Sequence, residues 1–157
     1  MQQLFATASN RQINIALTLL RVVVGAIFIA HGAQKLFVFG LDGVAGGFAS
    51  MGVPMAGILG PFVGLVEFLG GIALAVGLLT RLASIGIAST MVVAILLVHL
   101  KQGFFNPGGV EFPLSLLAST IALTLTGAGD WSLDALIGRK VSPQSPEVER
   151  IPALRAA

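Results

Sequence analysis

The chain has 157 residues, of which 55% are hydrophobic and only 10% are charged. Soluble domains carry about 25% charged residues, so the composition excludes an ordinary water-soluble protein and predicts the lipid bilayer as a partner. Cysteine is absent, which excludes disulfides, iron–sulfur clusters and thiolate metal sites carried by this chain. The net charge of +2 is small and predicts no nucleic-acid partner.

Four apolar runs approach the ~20 residues that a helix needs to cross ~30 Å of hydrocarbon. They cover residues 13–39, 55–79, 82–100 and 112–126, and the last run is shorter and richer in Ser and Thr. We therefore predict an all-α fold, an antiparallel four-helix transmembrane bundle within residues 13–127. The connection between the second and third runs is tight, whereas the segments after the first and third runs are longer.

The basic residues predict the orientation of this bundle. If the four spans alternate, one side receives most of them, namely Arg11, Arg81, Arg139, Lys140, Arg150 and Arg155. Cytoplasmic loops carry such an excess, so both termini are expected in the cytoplasm, with residues 1–12 as a short N-terminal segment. Residues 128–141 resemble an interfacial amphipathic segment, and residues 142–157 a disordered cytoplasmic tail. The expected location is a bacterial plasma or inner membrane, crossed several times.

Ionisable side chains inside these runs point to an intramembrane site. A charge near the middle of a transmembrane helix costs about 2.5 to 3.5 kcal/mol, so it persists only where it is paired or faces a polar cavity. The residues concerned are Arg21, His31, Lys35, Glu67 and His99. Because the longer connections lie on the external side, we expect the site in the external half of the bundle.

Helical periodicity predicts which faces of the helices meet. Three stripes emerge at ~100° per residue: Arg21, Gly25, Phe28, Gly32 and Lys35 on the first helix; Gly60, Gly64, Glu67 and Gly71 on the second; Glu111, Ser115, Ala118, Ser119, Ala122 and Thr126 on the fourth. Small residues let helix backbones approach closely in lipid, so each stripe is expected to face the bundle interior.

Counting depth from the span edges predicts an ion pair between Arg21 and Glu67 near the membrane centre. Such a pair would offset the free-energy cost of placing two charged side chains in the hydrocarbon core of the membrane. The alternative is that it only fixes the register of two helices, since buried pairs often specify packing without doing chemistry.

Two histidines at the external ends of the first and third helices raise the question of haem or metal. Parallel helices can place two imidazoles at one depth, as bis-histidine haem requires. His31 and His99 have no diagnostic spacing, however, so haem and metal are disfavoured and no cofactor motif is recognised.

Several short motifs resemble the DoxX family of small four-helix membrane proteins. They are His31-Gly32-Ala33-Gln34-Lys35-Leu36-Phe37, Gly52-Val53-Pro54, Glu67-Phe68-Leu69-Gly70-Gly71, Gly77-Leu78-Leu79-Thr80-Arg81, Val98-His99 and Gly108-Gly109-Val110-Glu111-Phe112. They occur in the family's order, and the resemblance spans roughly residues 17–136. On the family's polar motifs, the positions implied as binding residues are Arg21, His31, Gln34, Lys35, Glu67, His99 and Glu111.

The resemblance implies a redox setting. Family members include relatives of subunits of an archaeal thiosulfate:quinone oxidoreductase, proteins associated with resistance to quinones and catechols, and membrane partners of soluble redox enzymes. Our leading hypothesis is a quinone-interacting component of a membrane redox system, with a quinone or small aromatic ligand and a soluble redox protein as partners. The alternative is a non-enzymatic permease or assembly partner. Whether the chain is itself a quinone-linked oxidoreductase subunit, and whether it forms a homo-oligomer, stay open.

The predicted topology can be tested by cysteine labelling. Single cysteines at Ser50 and Ser145 should be accessible from opposite sides of the membrane, because Ser50 follows one span and Ser145 follows four. An impermeant thiol reagent applied to right-side-out and inverted vesicles measures this. Labelling of both positions from the same side would contradict the topology.

Overall fold

In the computed structural model, which describes residues 7–141, helices are the only regular secondary structure of the described residues. The helices are α1 (Asn10–Ala33), α2 (Gly40–Ser50), α3 (Ala56–Val76), α4 (Thr80–Ala94), α5 (Glu111–Thr126) and α6 (Leu133–Val141). The all-α prediction is therefore confirmed. The tail predicted at residues 142–157, and residues 1–6 of the N-terminal segment, lie outside the described residues.

Three helical stretches are long and apolar enough to cross a membrane. They are Asn10–Ser50, Ala56–Val76 and Thr80–Gln102. The fourth apolar helix, α5, has 16 residues and rises only about 24 Å. The outward faces of these helices expose large apolar side chains that water would not tolerate in such numbers, among them Leu19, Phe37, Phe62, Leu69, Leu82 and Leu125.

Local sequence signals fix where several helices begin and end. α1 starts at a capping box in which the backbone N–H of Gln12 donates to Ser9 Oγ at 3.4 Å and that of Ser9 donates to Gln12 Oε1 at 2.8 Å. α3 ends at Gly77, whose φ of 70° lies in the left-handed region. There the N–H of Leu78 donates to Ala73 O at 2.8 Å and closes the last turn.

The four longer helices pack around a single apolar core. α1 packs mainly on α3, α3 on α4, and α4 on α5. The core consists of Val24, Phe28, Leu74, Ile87, Met91, Leu116 and Leu123. We call one end of the bundle the Arg21 end. It is the end where α1 and α4 begin, where α3 and α5 end, and where α6 lies. The loop end means the opposite end, where α2 and residues 103–110 lie.

The closest helix contact is between α1 and α3. A methyl group built on Gly71 would lie 2.7 Å from the backbone nitrogen of Ile29 and 2.8 Å from the carbonyl oxygen of Gly25. A methyl group on Gly32 would lie 2.6 Å from Phe68 Cα. Only glycine fits such spacings, so the predicted small-residue faces of these two helices do meet in the interior.

α2 is folded back over the loop end by a turn at Gly40. Its φ of 70° and ψ of 169° belong to a region that is essentially accessible only to glycine. The turn brings Val44, which is 4% exposed, against Gly60 of α3. Because α2 begins at Gly40, Asp42 lies in its first turn.

The predicted interior stripe of α5 is wrong. The buried residues of α5 are Pro113, Leu116, Thr120 and Leu123, whereas Ser115, Ala118 and Thr126 are exposed. The exposed hydroxyls instead donate to carbonyls of their own helix, as Ser115 does to Phe112 O at 2.7 Å. Because these bonds already satisfy the hydroxyls, the stripe can face outward, and the larger apolar residues take the interior.

Replacing Gly71 by alanine should destabilise the protein strongly. The added methyl group meets backbone atoms of α1, and overpacking of this kind typically costs about 1–3 kcal/mol. Gly57→Ala is the matched control, because it lies on the same helix and a methyl group there meets nothing within 4 Å. Thermal unfolding in detergent measures both variants. Equal melting temperatures for the two would contradict the close α1–α3 contact.

Candidate functional site

A cavity of about 270 Å³ lies at the loop end, between α1, α2, α3, α4 and α5. Its walls are mostly apolar, and the aromatic side chains among them are Phe28, Phe48 and Phe112. Five polar side chains reach the cavity: His31, Lys35, Glu67, Thr90 and His99. An apolar pocket with a few convergent polar groups is the usual form of a small-molecule site.

Lys35 and Glu67 form an ion pair at this cavity. Lys35 Nζ donates to Glu67 Oε2, and the two side chains are 20% and 5% exposed. Glu67 lies in the middle of α3, where an unpaired carboxylate would be costly. The pair therefore lets a carboxylate sit inside the bundle next to the cavity.

Both histidines hold their rings through Nδ1. His31 Nδ1 lies 2.9 Å from Ile27 O, and His99 Nδ1 lies 2.6 Å from Gly108 O. A carbonyl oxygen can only accept, so Nδ1 carries the hydrogen in each ring. In the neutral imidazole the other nitrogen, Nε2, is then an acceptor.

His31 and Phe112 border the side of the cavity between α1 and α5. Their ring centroids are 6.1 Å apart, and both side chains are exposed. His99 is half-buried and tied to the loop before α5. His31 thus lies at an edge of the cavity, and His99 lies closer to its interior.

Two helix ends at this site are π-helical. α1 continues as a π-helical segment over Gln34–Phe39, and α4 over Ile95–His99. π-helical turns are rare and are frequent at functional sites. Each one carries a polar residue of the cavity, Lys35 in the first and His99 in the second.

The predicted pair between Arg21 and Glu67 is wrong. Arg21 is 3% exposed and lies beside the last turn of α3, far from the cavity. Its Nη1 donates to Ala75 O at 2.8 Å and to Leu74 O at 3.4 Å. Nη2 donates to Trp131 O. Arg21 therefore caps the C-terminus of α3, where a cation satisfies free carbonyls and complements the helix dipole.

The register of α1 on α3 explains the error. Gly25 faces Gly71 and Gly32 faces Phe68, so Arg21 lies level with Leu74 and Ala75. Glu67 is about two helical turns, or ~10 Å, farther along α3. Counting from span edges missed this offset because α1 extends beyond the end of α3 at the Arg21 end.

Two other predicted binding residues also lie outside the cavity. Gln34 is exposed at the start of the π-helical segment that follows α1, beside Ala33 and Phe37. Glu111 begins α5 and accepts the N–H of Asn106 at 2.7 Å, so it holds the loop before α5 in place. Of the seven predicted positions, the cavity brings together His31, Lys35, Glu67 and His99.

The DoxX family model matches residues 16–100 of this chain. This chain belongs to the DoxX family. The match covers all five polar residues of the cavity and both π-helical segments.

Three relatives of this DoxX protein come from bacteria. It is 35% identical over 128 residues to a Bacillus subtilis protein named "Putative oxidoreductase CatD", covering 82% of this chain and 91% of the relative. It is 32% identical over 136 residues to an uncharacterized membrane protein of Mycobacterium tuberculosis, with 78% and 82% covered. It is 30% identical over 129 residues to the inner membrane protein YqjF of Escherichia coli, with 81% and 95% covered. No solved structure matches it.

The family match and the apolar helices together make this DoxX protein an integral membrane protein with several spans. Within residues 7–141, no group of three or more His, Cys, Asp or Glu side chains is placed to hold a metal ion.

Thr90 is the polar cavity residue that the sequence analysis missed. It belongs to the buried face of α4, which also carries Thr80 and Ser84. These three positions follow a helical repeat, so the stripe was visible in the sequence. It was overlooked because hydroxyl residues carry no charge and cost little in a membrane helix.

In this DoxX protein, Lys35→Met and Glu67→Gln should show coupled effects on stability. Glu67→Gln leaves Lys35 without its counter-ion, a loss that typically costs about 3–5 kcal/mol, and the double variant should recover part of it. A double-mutant cycle of thermal stability in detergent measures the coupling. The cycle of Arg21→Gln with Glu67→Gln is the control, and its effects should add. Coupling in the Arg21 cycle alone would contradict the register described here.

Proposed function

We propose that this protein is a quinone-interacting component of a membrane redox system. The observation that carries the proposal is the cavity of about 270 Å³ whose apolar walls surround an ion pair and two histidines. Its volume lies just below the ~300 to 1,000 Å³ of most ligand pockets, so it suits a single ring better than a larger molecule. A quinone headgroup is a flat, apolar ring with two oxygens at its edge, which matches this arrangement.

The aromatic walls support the binding of a ring. Phe28 is 2% exposed and forms part of the inner wall, while Phe48 of α2 and Phe112 of α5 come from the loop end. Aromatic pairs in offset or edge-to-face geometry contribute about 0.5–1.5 kcal/mol beyond the burial of their area. Three such walls favour a planar aromatic ligand over an aliphatic one.

The polar groups support proton handling. Reduction or oxidation of a quinone headgroup moves two protons with two electrons, and a general acid or base must lie within hydrogen-bond reach. Glu67 and Lys35 are in direct contact at the cavity and can exchange a proton between them. The electrons would pass to or from a soluble redox partner, and the oxidoreductase name of the Bacillus subtilis relative is in keeping with such a system.

The proposal includes a topology of four transmembrane helices with both termini in the cytoplasm. Helices α1, α3, α4 and α5 alternate in direction, and Asn14 and Asp130 contact each other at the Arg21 end, with 2.7 Å between Asn14 Nδ2 and Asp130 Oδ2. That end also carries Arg11, Arg81, Arg139 and Lys140, which favours the cytoplasmic side. The cavity would then lie in the external half of the membrane.

The alternative function is a permease or an assembly partner. In these the same charges would line a polar path through the bundle or hold the bundle together. A permeation path would have to continue from the cavity to the Arg21 end. Leu74, Ile87 and Leu123 are fully buried between the two, and their apolar packing closes that route in this conformation. This observation favours a site that is entered from one end over a channel.

Filling the cavity should weaken binding of a quinone headgroup. Ala94 lines the cavity, so Ala94→Phe should weaken binding of duroquinone about tenfold or more, as the added ring takes the space of the ligand. Ala26→Phe is the matched control, because Ala26 is exposed on the outer face of α1. Isothermal titration of protein in nanodiscs measures both variants.

Two results would overturn the proposal. One is the absence of saturable binding to the unmodified protein, and the other is equal weakening by both substitutions. Transport of the quinone analogue across proteoliposomes without any redox partner would favour the permease instead.

A further inference from the structure

We infer that the cavity binds the reduced, hydroxyl-bearing form of its aromatic ligand more tightly than the oxidised, carbonyl-bearing form. This inference rests on the proposed function, because it takes the cavity as the binding site of a quinone-type ring. It follows from which polar atoms of the cavity can accept a hydrogen bond and which can donate one.

His99 presents an acceptor. Its Nδ1–H is used by the carbonyl of Gly108 at 2.6 Å, so Nε2 of the neutral ring carries a lone pair. Within residues 7–141, Nε2 of His99 takes part in no hydrogen bond. A ligand hydroxyl can donate a hydrogen bond to this nitrogen. A ligand carbonyl cannot, because both atoms are acceptors and their lone pairs repel each other.

His31 presents a second acceptor at the edge of the cavity. Its Nδ1–H donates to the carbonyl of Ile27 at 2.9 Å, one turn earlier on α1, so Nε2 of the neutral ring also has a lone pair that can accept a hydrogen bond. The two rings come from different helices, yet each is fixed in the same tautomer by a backbone carbonyl. A ring with hydroxyls on opposite sides suits such a pair of acceptors.

Thr90 and Glu67 add further acceptors. The hydroxyl of Thr90 donates to Ile87 O at 2.7 Å, so only its lone pairs are left for a ligand. The carboxylate of Glu67 has two oxygens and receives the Lys35 hydrogen on only one of them, Oε2. Lys35 is thus the only donor group among the five polar residues of the cavity, and one of its three hydrogens is already engaged.

The cavity offers four acceptor groups and one donor group, and this imbalance decides which redox form binds more tightly. The hydroxyls of a hydroquinone can donate to the acceptors, and their oxygens can still accept from Lys35. A quinone has no hydrogen to donate, so all four acceptors would receive none from the ligand. The cost is greatest at Glu67 and Thr90, which are 4% and 8% exposed, because an unpaired buried group is costly. The same preference raises the midpoint potential of the bound couple, by about 30 mV for each tenfold ratio of the two dissociation constants.

The test compares two redox forms of one ring. Durohydroquinone should bind the unmodified protein at least about tenfold more tightly than duroquinone in anaerobic nanodiscs, measured by isothermal titration. The methyl groups of both ligands block addition to Lys35. The dimethyl ether of durohydroquinone is the control ligand, since it keeps the ring and the oxygens but has no hydrogen to donate, and it should bind as weakly as the quinone.

A conservative variant links the preference to the cavity. Thr90→Val removes one acceptor and keeps the side-chain shape, so it should lower the ratio of the two affinities severalfold. Thr120→Val is the matched control, because Thr120 is also buried and bonded to its own helix, to Leu116 O at 3.0 Å, but lies outside the cavity lining. It should leave the ratio unchanged.

The outcomes separate this inference from the proposed function. Equal binding of both redox forms, or tighter binding of duroquinone, would overturn the inference and leave the quinone site standing. Absence of binding by either form would overturn both.

Discussion

The backbone contact between α1 and α3 is the constraint on which the rest of the molecule depends. Gly25, Gly32 and Gly71 bring the two helices so close that a methyl group at any of them would meet backbone atoms of the other helix. Shape complementarity of this kind permits one register and excludes its neighbours, because a shift of one turn would place side chains where only hydrogen fits. The positions of Arg21, Lys35 and Glu67 relative to one another follow from that register.

The register sorts the charges into two centres with different roles. At the Arg21 end, the guanidinium donates to carbonyls of α3 and to Trp131 O, while the Asp134 carboxylate accepts the N–H groups of Leu79 and Thr80 at 2.7 and 2.9 Å. These contacts satisfy helix ends and join α6 to the bundle, which is a structural task. At the loop end, the pair of Lys35 and Glu67 borders a cavity, where charges are accessible to a ligand.

An apolar core separates these centres, and this separation bears on function. Phe28, Leu74, Ile87 and Leu123 fill the space between them with almost no exposed surface. A ligand in the cavity therefore contacts the polar groups of the loop end alone. Opening a path to the other end would require the core to repack, which close-packed interiors resist.

Much of the fold could be read from the sequence, because lipid allows few choices. Apolar runs of membrane-spanning length, without strands, follow from the need to satisfy backbone groups inside each helix. The glycine faces of α1 and α3 followed from helical periodicity, as did the burial of Glu67. Periodicity failed on α5, since local hydroxyl-to-carbonyl bonds let a polar stripe face outward. Such bonds are expected of Ser and Thr in a membrane helix, but periodicity does not show which face of that helix is buried.

The partners of the charges were decided only by the tertiary structure. Which cation pairs with Glu67 depends on the offset between α1 and α3 along their axes. The glycine contacts set that offset to within one residue, whereas the span edges estimated from the sequence are known only to within a turn or so. The acceptor character of His31 and His99 likewise depends on which carbonyl lies beside each Nδ1, and for His99 that carbonyl belongs to a loop. The sequence alone therefore determined that this protein carries polar groups inside a membrane bundle, and the packing of the helices decided which of them share a cavity, because only packing brings residues from five separate segments to one place.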